Sequence, residues 1–486
     1  MGWTFEEMDR MFHPRVVAVV GDKRDRDYMW LRSVSTIRGR VYSVQVDPQE
    51  IEGIRALGFP NYPSLRDIPE AVDYVIVAVP RHVAPRVLQD AIHKGVHAVM
   101  FFTAGFAETG EEEGIRLQQV LTEMARAARM KVVGPNCMGL FNPRWGLRHH
   151  VDQYYGEGGP VGFISQSGTH ANAFSLVGYQ HGITISKSVS MGNGIILHAD
   201  DYLDYLGQDP QTQVIAMYLE GVPHARRLFH LMQAISPRKP IVVWKGGQTS
   251  EGARAAQSHT ASLAASTALW QGAVRQANAL WADSFEETLD LVKALCYLKE
   301  PVGPRLGLVA MTGGQSVVIT DAFAKAGLQV PLLSSASYQE LATFYSTVGG
   351  SYRNPMDMTP TIRNLDLVQR VLDILARDAH IDAICYEVNL AFVPRGERGL
   401  DRLVDLLGAF RERYERPFLC VLTPMHREGE EREVRLALAR RGVPAFPSFL
   451  RAATAYRKVW DYYRERRERL VTPQAPALAQ PVPPGS

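Results

Sequence analysis

The sequence predicts an α/β protein built from three doubly wound units in a row. Three observations carry that expectation. Short runs rich in Val, Ile and Phe alternate with helical stretches along the chain, the pattern of a parallel sheet covered on both faces. At 486 residues the chain is too long for one core and suits about three domains of ordinary size. Two of the apolar runs, at 161–164 and 306–310, also open segments that resemble each other.

Taken in order, the first unit (residues 1–150) offers Val16–Val20, Val41–Val46, Tyr74–Val79 and Ala98–Phe102 as buried strands. Val83–Lys94 and Gly114–Ala128 are the helical stretches between them. Pro135, Gly139 and Pro143 mark a turn-rich exit, and the run at 156–160 (GEGGP) marks a boundary. The second unit (158–298) opens on Val161–Ile164 and the third (303–465) on Leu306–Ala310. After each strand comes a polar turn with glycine, SQSG at 165–168 and TGG at 312–314, and then a helix. In each, a glycine then leads into a further strand, Gly182 before Ile183–Val189 and Gly327 before Leu328–Leu333. Val214–Leu219 and Ile384–Val388 occupy matching places, so the two units read as a duplication of one small α/β fold. Leu298–Pro304 is the linker. Tyr462–Leu470 is a polar helical end, and residues 471–486, rich in Pro, Ala and Gln, are expected to be a disordered tail.

Composition excludes several classes. A hydrophobic fraction of 46% and a charged fraction of 21% describe a globular chain. Lys+Arg 53 against Asp+Glu 51 gives no basic field for nucleic acid or an anionic membrane. Cys137, Cys296, Cys385 and Cys420 are far apart and suggest neither a metal site nor a disulfide framework. No segment has the apolar length of a membrane helix or a signal core, so a cytoplasmic location is expected.

Chemistry singles out a few positions. Ser165-Gln-Ser167-Gly168-Thr169 follows a strand and opens a helix, where unpaired N–H groups and small residues can hold a phosphate. An ordinary helix cap uses the same residue types. The opening turn after Val20 is Gly21-Asp-Lys-Arg-Asp-Arg26, with only the first glycine of a dinucleotide fingerprint, which disfavours NAD. Asp47, at the end of strand two, is placed where such folds hold a ribose. His259 lies in a stretch of small residues and acts as a nucleophile if a carboxylate fixes its tautomer; a surface histidine is the plain alternative. Glu220 ends an apolar strand at the carboxyl edge where α/β sites form, or is simply an exposed strand end.

Ten segments in order resemble the ADP-forming acyl-CoA synthetases of the succinyl-CoA synthetase superfamily, in the arrangement of that family's α subunit. They are VVAVVG (16–21), VIVAVP (75–80), TAGFAETG (103–110), GPNCMGLFNP (134–143), GFISQSGT (162–169), SMGN (190–193), DYLDYLGQDPQT (201–212), YLEG (218–221), GARAAQSHTASLA (252–264) and NPMDM (354–358). The resemblance implies a Rossmann-like CoA-binding domain followed by two flavodoxin-like domains. It implies that His259 is phosphorylated and that Glu220 orients it. It places Ser165, Ser167, Gly168 and Thr169 at a helix end gripping the transferred phosphate, and Gly313 and Gly314 at a second one. Gly21, Lys23, Val79, Pro80, Thr103, Ala104, Gly105, Asn136 and Cys137 fall where the family binds CoA.

The implied activity is conversion of acyl-CoA, ADP and phosphate to acid, CoA and ATP through an acyl phosphate and a phosphohistidine. The family needs an ATP-grasp module for nucleotide and Mg²⁺, so a separate β subunit is the expected partner, in a hetero-oligomer. Lys23, Arg24 and Arg26 stand where the family has small residues and a second glycine, and Asp47-Pro-Gln49 stands where it has Asn-Pro-Lys. These three cations either grip CoA phosphates or mark a lost site. The alternative is a regulatory CoA-binding protein that keeps the fold.

Overall fold

The computed structural model describes residues 2–254, 266–360, 364–393 and 397–471. Its strands form three sheets. The chain divides into two compact units, residues 1–297 with 429–440, and residues 298–428 with the segment from 441 onward.

The first sheet holds β1 (Val16–Val20), β2 (Arg40–Val44), β3 (Asn61–Tyr62), β4 (Tyr74–Val77), β5 (Ala98–Phe101) and β6 (Lys131–Val133). Their order is β3-β2-β1-β4-β5-β6 with every pairing parallel, the doubly wound Rossmann arrangement. All five residues of β1 are buried, which is why it reads as an unbroken apolar run. β2 stops at Val44, two residues before the expected end. Asp47 takes the N-cap of the helix Pro48–Ala56 instead, its Oδ1 accepting the Gln49 N–H at 3.0 Å. The carboxylate placed by sequence on a ribose is thus the cap of a helix.

The second sheet holds β7 (Gly139–Phe141), β8 (Val161–Ser165), β9 (Ile185–Ser190), β10 (Val214–Leu219), β11 (Ile241–Lys245) and β12 (Leu280–Ala282), in the order β12-β11-β10-β8-β9-β7. Leaving β7 aside, this is the flavodoxin order, with the switch point between β8 and β10. β7 runs antiparallel to β9 and comes from the chain just after β6. One apolar core joins the two sheets, containing Val17 and Ile76 of the first and Ile164 and Ile215 of the second. Phe12 stacks on Tyr205 with ring centres 5.1 Å apart.

The third sheet, β13 (Leu306–Ala310), β14 (Met356–Asp357), β15 (Ala383–Asn389), β16 (Phe418–Thr423) and β17 (Ala445–Phe446), repeats that order as β14-β13-β15-β16-β17. The strand expected at 328–333 is replaced by a lone bridge between Arg305 and Gln329. Pro331 has no N–H to give a ladder, and its carbonyl accepts the Asn354 side-chain amide at 2.8 Å. The expected polar end 462–470 belongs to the long helix Phe449–Val471, where Tyr462 is nonetheless buried. The expected tail beyond 471 lies outside the described residues. Among those described, no helix is long and apolar enough to cross a membrane, and no group of His, Cys, Asp and Glu is arranged to hold a metal ion.

Candidate functional site

The turn after β1 is shaped by Gly21, whose φ is +82° and whose N–H donates to Val44 O at 3.1 Å. A Cβ there would come within 2.5 Å of Val79 Cγ1, so only glycine lets the two loops touch. The following Asp22 is 2% exposed and caps the short helix Met29–Val34 by accepting the Leu31 N–H at 2.9 Å. Burial outweighs this donor, with those of Lys23 and Trp30, and pushes the carboxyl up to about 6. Lys23 and Arg26 are exposed beside it. Neither makes an ion pair among the described residues, and Arg26 lies 5.0 Å over the Phe102 ring. Arg24 turns the other way. Its N–H donates to Glu50 Oε2 at 2.9 Å and its guanidinium reaches Gln49 O at 3.4 Å, so of the three cations expected to act together two remain.

The other loops are held by backbone bonds. Thr103 Oγ1 donates to Val79 O at 2.7 Å, and Asn136 N–H donates to Thr103 O at 3.0 Å. Asn136 has a φ of +57°, a strained position that asparagine tolerates. Cys137 is buried, its thiol facing Phe101 O at 3.5 Å and pushed up by burial, so it packs rather than reacts. Gly105 supports the wall from behind: its N–H donates to Glu108 Oε1 at 2.6 Å and its carbonyl accepts Arg81 at 2.8 Å. The SMGN segment braces the same loops, since Asn193 N–H donates to Pro135 O at 2.9 Å and its side-chain amide to Glu108 Oε2 at 2.6 Å.

At the end of β8 the chain turns into the helix Gly168–Gln180, which we label α6 in chain order, capped by Ser167, whose Oγ accepts the His170 N–H at 3.3 Å. Ser165 is fully buried. Its hydroxyl donates to Ser167 O at 2.7 Å and accepts the Ser167 N–H at 3.1 Å, so it closes the turn and presents nothing outward. The first N–H groups of α6, at Gly168 and Thr169, have no intrahelical acceptor. A cleft of about 650 Å³ brings these parts together. Its lining includes Gly21, Lys23 and Arg26 from the first turn, Val79, Pro80, Thr103 and Ala104 from the next loops, Asn136 and Cys137, and then Gly168 and Thr169. Cations and a helix N-terminus on one cleft suit a ligand carrying phosphates.

Glu220 follows β10 and is buried, not an exposed strand end. Gln166 Oε1 accepts the N–H groups of both Glu220 and Gly221, the latter at 3.0 Å, which ties the carboxylate's backbone to the turn before α6. Tyr218 OH donates to Glu220 Oε1 at 3.0 Å. Lys245, on the adjacent strand, is buried, and that burial lowers its pKa against the opposing pull of the Glu220 charge. Sequence reasoning passed over Gln166 and Tyr218. Tyr218 stands two residues before Glu220 at the end of the same strand, a spacing that was signal enough; Gln166 sits 54 residues away and only the fold connects it.

His259 lies outside the described residues. Gly313 and Gly314 belong to the second compact unit, where they open the helix Gly313–Lys325 behind the cap Thr312, whose Oγ1 accepts the Gln315 N–H at 3.4 Å. A Cβ placed on Gly314 would meet nothing within 4 Å beyond its own helix, whereas one on Gly313 would lie 3.1 Å from Asp357 Oδ2.

The domain family described as "CoA binding domain" matches residues 15–143, and the "Succinyl-CoA ligase like flavodoxin domain" matches residues 158–295. The α subunit of acetate–CoA ligase (ADP-forming) II of Pyrococcus furiosus is 33% identical over 78% of this chain and 82% of its own. Acetate–CoA ligase (ADP-forming) I of Archaeoglobus fulgidus is 34% identical over 78% of this chain, which spans only 54% of that relative. A dinucleotide-forming acetyl-coenzyme A synthetase 1 from Candidatus Korarchaeum cryptofilum, solved with phosphate and ADP, superposes with a TM-score of 0.82 at 30% identity, covering 96% of this chain and 99% of that one.

Proposed function

Because the chain belongs to the family of ADP-forming acyl-CoA ligases related to succinyl-CoA synthetase, we propose that it is the α-type part of such an enzyme. The observation that carries the proposal is the cleft shared by the first-sheet loops and the N-terminus of α6. Acyl-CoA lies along the loops with its phosphates toward Lys23 and Arg26. Inorganic phosphate sits at the N–H groups of Gly168 and Thr169, where positive partial charge stabilises it. Its oxygen attacks the thioester carbon, the C–S bond breaks, and acyl phosphate and CoA form. A ring nitrogen of His259, oriented by Glu220, then attacks phosphorus and the carboxylate leaves as the free acid. ADP finally takes the phosphoryl group from the histidine. Every step is displacement at a positioned centre, so placement and charge supply most of the acceleration.

In this reading an ATP-grasp β subunit with Mg²⁺ holds the nucleotide in a cytoplasmic hetero-oligomer. Relatives named for acetate make acetyl-CoA the first substrate to try. The purified chain is incubated with acetyl-CoA and [³²P]phosphate. Acid-labile, base-stable label on the wild type that is lost in His259→Asn is the expected result. Failure of the wild type to take label while it still binds CoA would favour a regulatory CoA-binding protein.

A further inference from the structure

We propose that a second cleft in the first compact unit binds an amphipathic organic anion, an acidic group on an apolar body, with Arg126 and Arg226 as its counter-charges. The cleft measures about 1200 Å³ and shares no lining residue with the one described above. Three helices contribute to it, Glu112–Ala127 from its last turn and Ala199–Gln208 and Ala225–Ile235 from their first.

Much of the wall is apolar. Ile195 and Ile196, from the loop before the second of these helices, line it with Leu231 from the third and with Trp3. Trp3 is held from one side by Lys131, whose ammonium lies 4.8 Å from the ring centre. An apolar concave surface with a few charges at set points is how a small-molecule site combines affinity with orientation.

The charge left over is positive. Asp201 is the one carboxylate in the lining, and it already has a partner. Arg227 Nη1 donates to Asp201 Oδ1 at 2.7 Å and also reaches Asp200, while its Nη2 lies 3.3 Å from Asp204 Oδ2. Arg126 and Arg226 are exposed at the cleft, and neither makes an ion pair among the described residues. A guanidinium presents a fork of donors suited to an acidic group, so two of them leave a place for a guest anion. His198 adds no charge at neutral pH, because burial lowers its pKa.

The helix Ala225–Ile235 adds to the same potential. It starts without a side-chain cap, since His224 at its N-cap has its Nδ1 3.2 Å from Asp200 Oδ2 instead. Its first N–H groups have no intrahelical acceptor. Arg226, His230 and Ala234, four residues apart, run along one face of this helix and all line the cleft. Apolar walls alone would suit a neutral guest, and cations alone would suit solvent. Together they select an anion with an apolar body.

The probe is anilinonaphthalene sulfonate, an aromatic anion titrated into the full-length chain and followed by its fluorescence. Saturable binding at one site is expected. Arg126→Ala and Arg226→Ala should each weaken it about fivefold to tenfold, the loss of one charge-assisted contact, with the Tm unchanged because both side chains are exposed. Lys23→Ala, in the other cleft, should leave the affinity as it was. The uncharged parent phenylnaphthylamine, with the same rings and no sulfonate, should bind about tenfold more weakly or worse. No saturable binding, equal affinity for the uncharged parent, wild-type affinity in the Arg126→Ala/Arg226→Ala double variant, or a loss in Lys23→Ala would each overturn the inference. None of these outcomes depends on whether the chain binds CoA.

Discussion

Asp22→Asn should change how stability depends on pH. Asp22 is 2% exposed, its Oδ2 accepts the Leu31 N–H at 2.9 Å and its Oδ1 the Lys23 N–H at 3.1 Å. Even so, burial raises the carboxyl from 3.8 to about 6. The folded protein therefore holds this proton more tightly than the unfolded chain does. The stability that follows is full below about pH 4 and is lost as pH rises through about 6. The distance between the two values corresponds to about 3 kcal/mol, lost by neutral pH. The asparagine variant does not titrate. It keeps one oxygen acceptor for Leu31 but turns an N–H₂ toward Lys23 N–H, a fixed cost of about 1–2 kcal/mol at every pH. Urea unfolding between about pH 4.5 and 7.5 is the assay, followed by tryptophan emission, to which Trp30 beside this turn contributes. Across that range the gap between variant and wild type should move in the variant's favour by about 2 kcal/mol as pH rises. Parallel curves would refute the reasoning, since they would mean that Asp22 titrates alike in both states.

Other consequences are as direct. A bound polyanion beside Asp22 favours its protonated form, so CoA affinity measured by calorimetry should tighten from pH 7 toward pH 5 in the wild type and less so in Asp22→Asn. Lys23→Ala and Arg26→Ala should each weaken CoA binding about fivefold at low salt and flatten its salt dependence, whereas Arg24→Ala, whose side chain faces Gln49, should not. Gly192 has a φ of +52° and a Cβ there would lie 2.2 Å from Pro135 O; Gly192→Ala should cost about 3 kcal/mol or more and lower the Tm by several degrees.

Much of the fold was readable from composition along the chain, because strands buried on both faces announce themselves. Val16–Val20 and Leu306–Ala310 come out with the bounds expected. What periodicity cannot carry is pairing. Nothing local shows that Gly139–Phe141 joins the edge of a later sheet, or that Leu328–Leu333 fails as a strand once Pro331 turns its carbonyl to Asn354. The site divides in the same way. Gly21, Val79 and Thr103 were grouped only by the family resemblance; in the fold Val79 packs against Gly21 and its carbonyl accepts the Thr103 hydroxyl. Ser165 looked like a phosphate ligand because hydroxyl and position suit one, but its hydroxyl is spent inside the turn. Gln166 lay in a quoted motif without a role, since its partners arrive from a strand 54 residues on.

The strand β7 has a mechanical meaning. It follows the last strand of the first sheet along the chain, forms an edge of the second, and the two sheets share one core. A chain stitched in this way ties the loops that would hold CoA to the helix end that would hold phosphate through one strand and one core. On the proposed reading, the gap across which a thioester would meet phosphate is then set at folding, like the jaws of a fixed gauge.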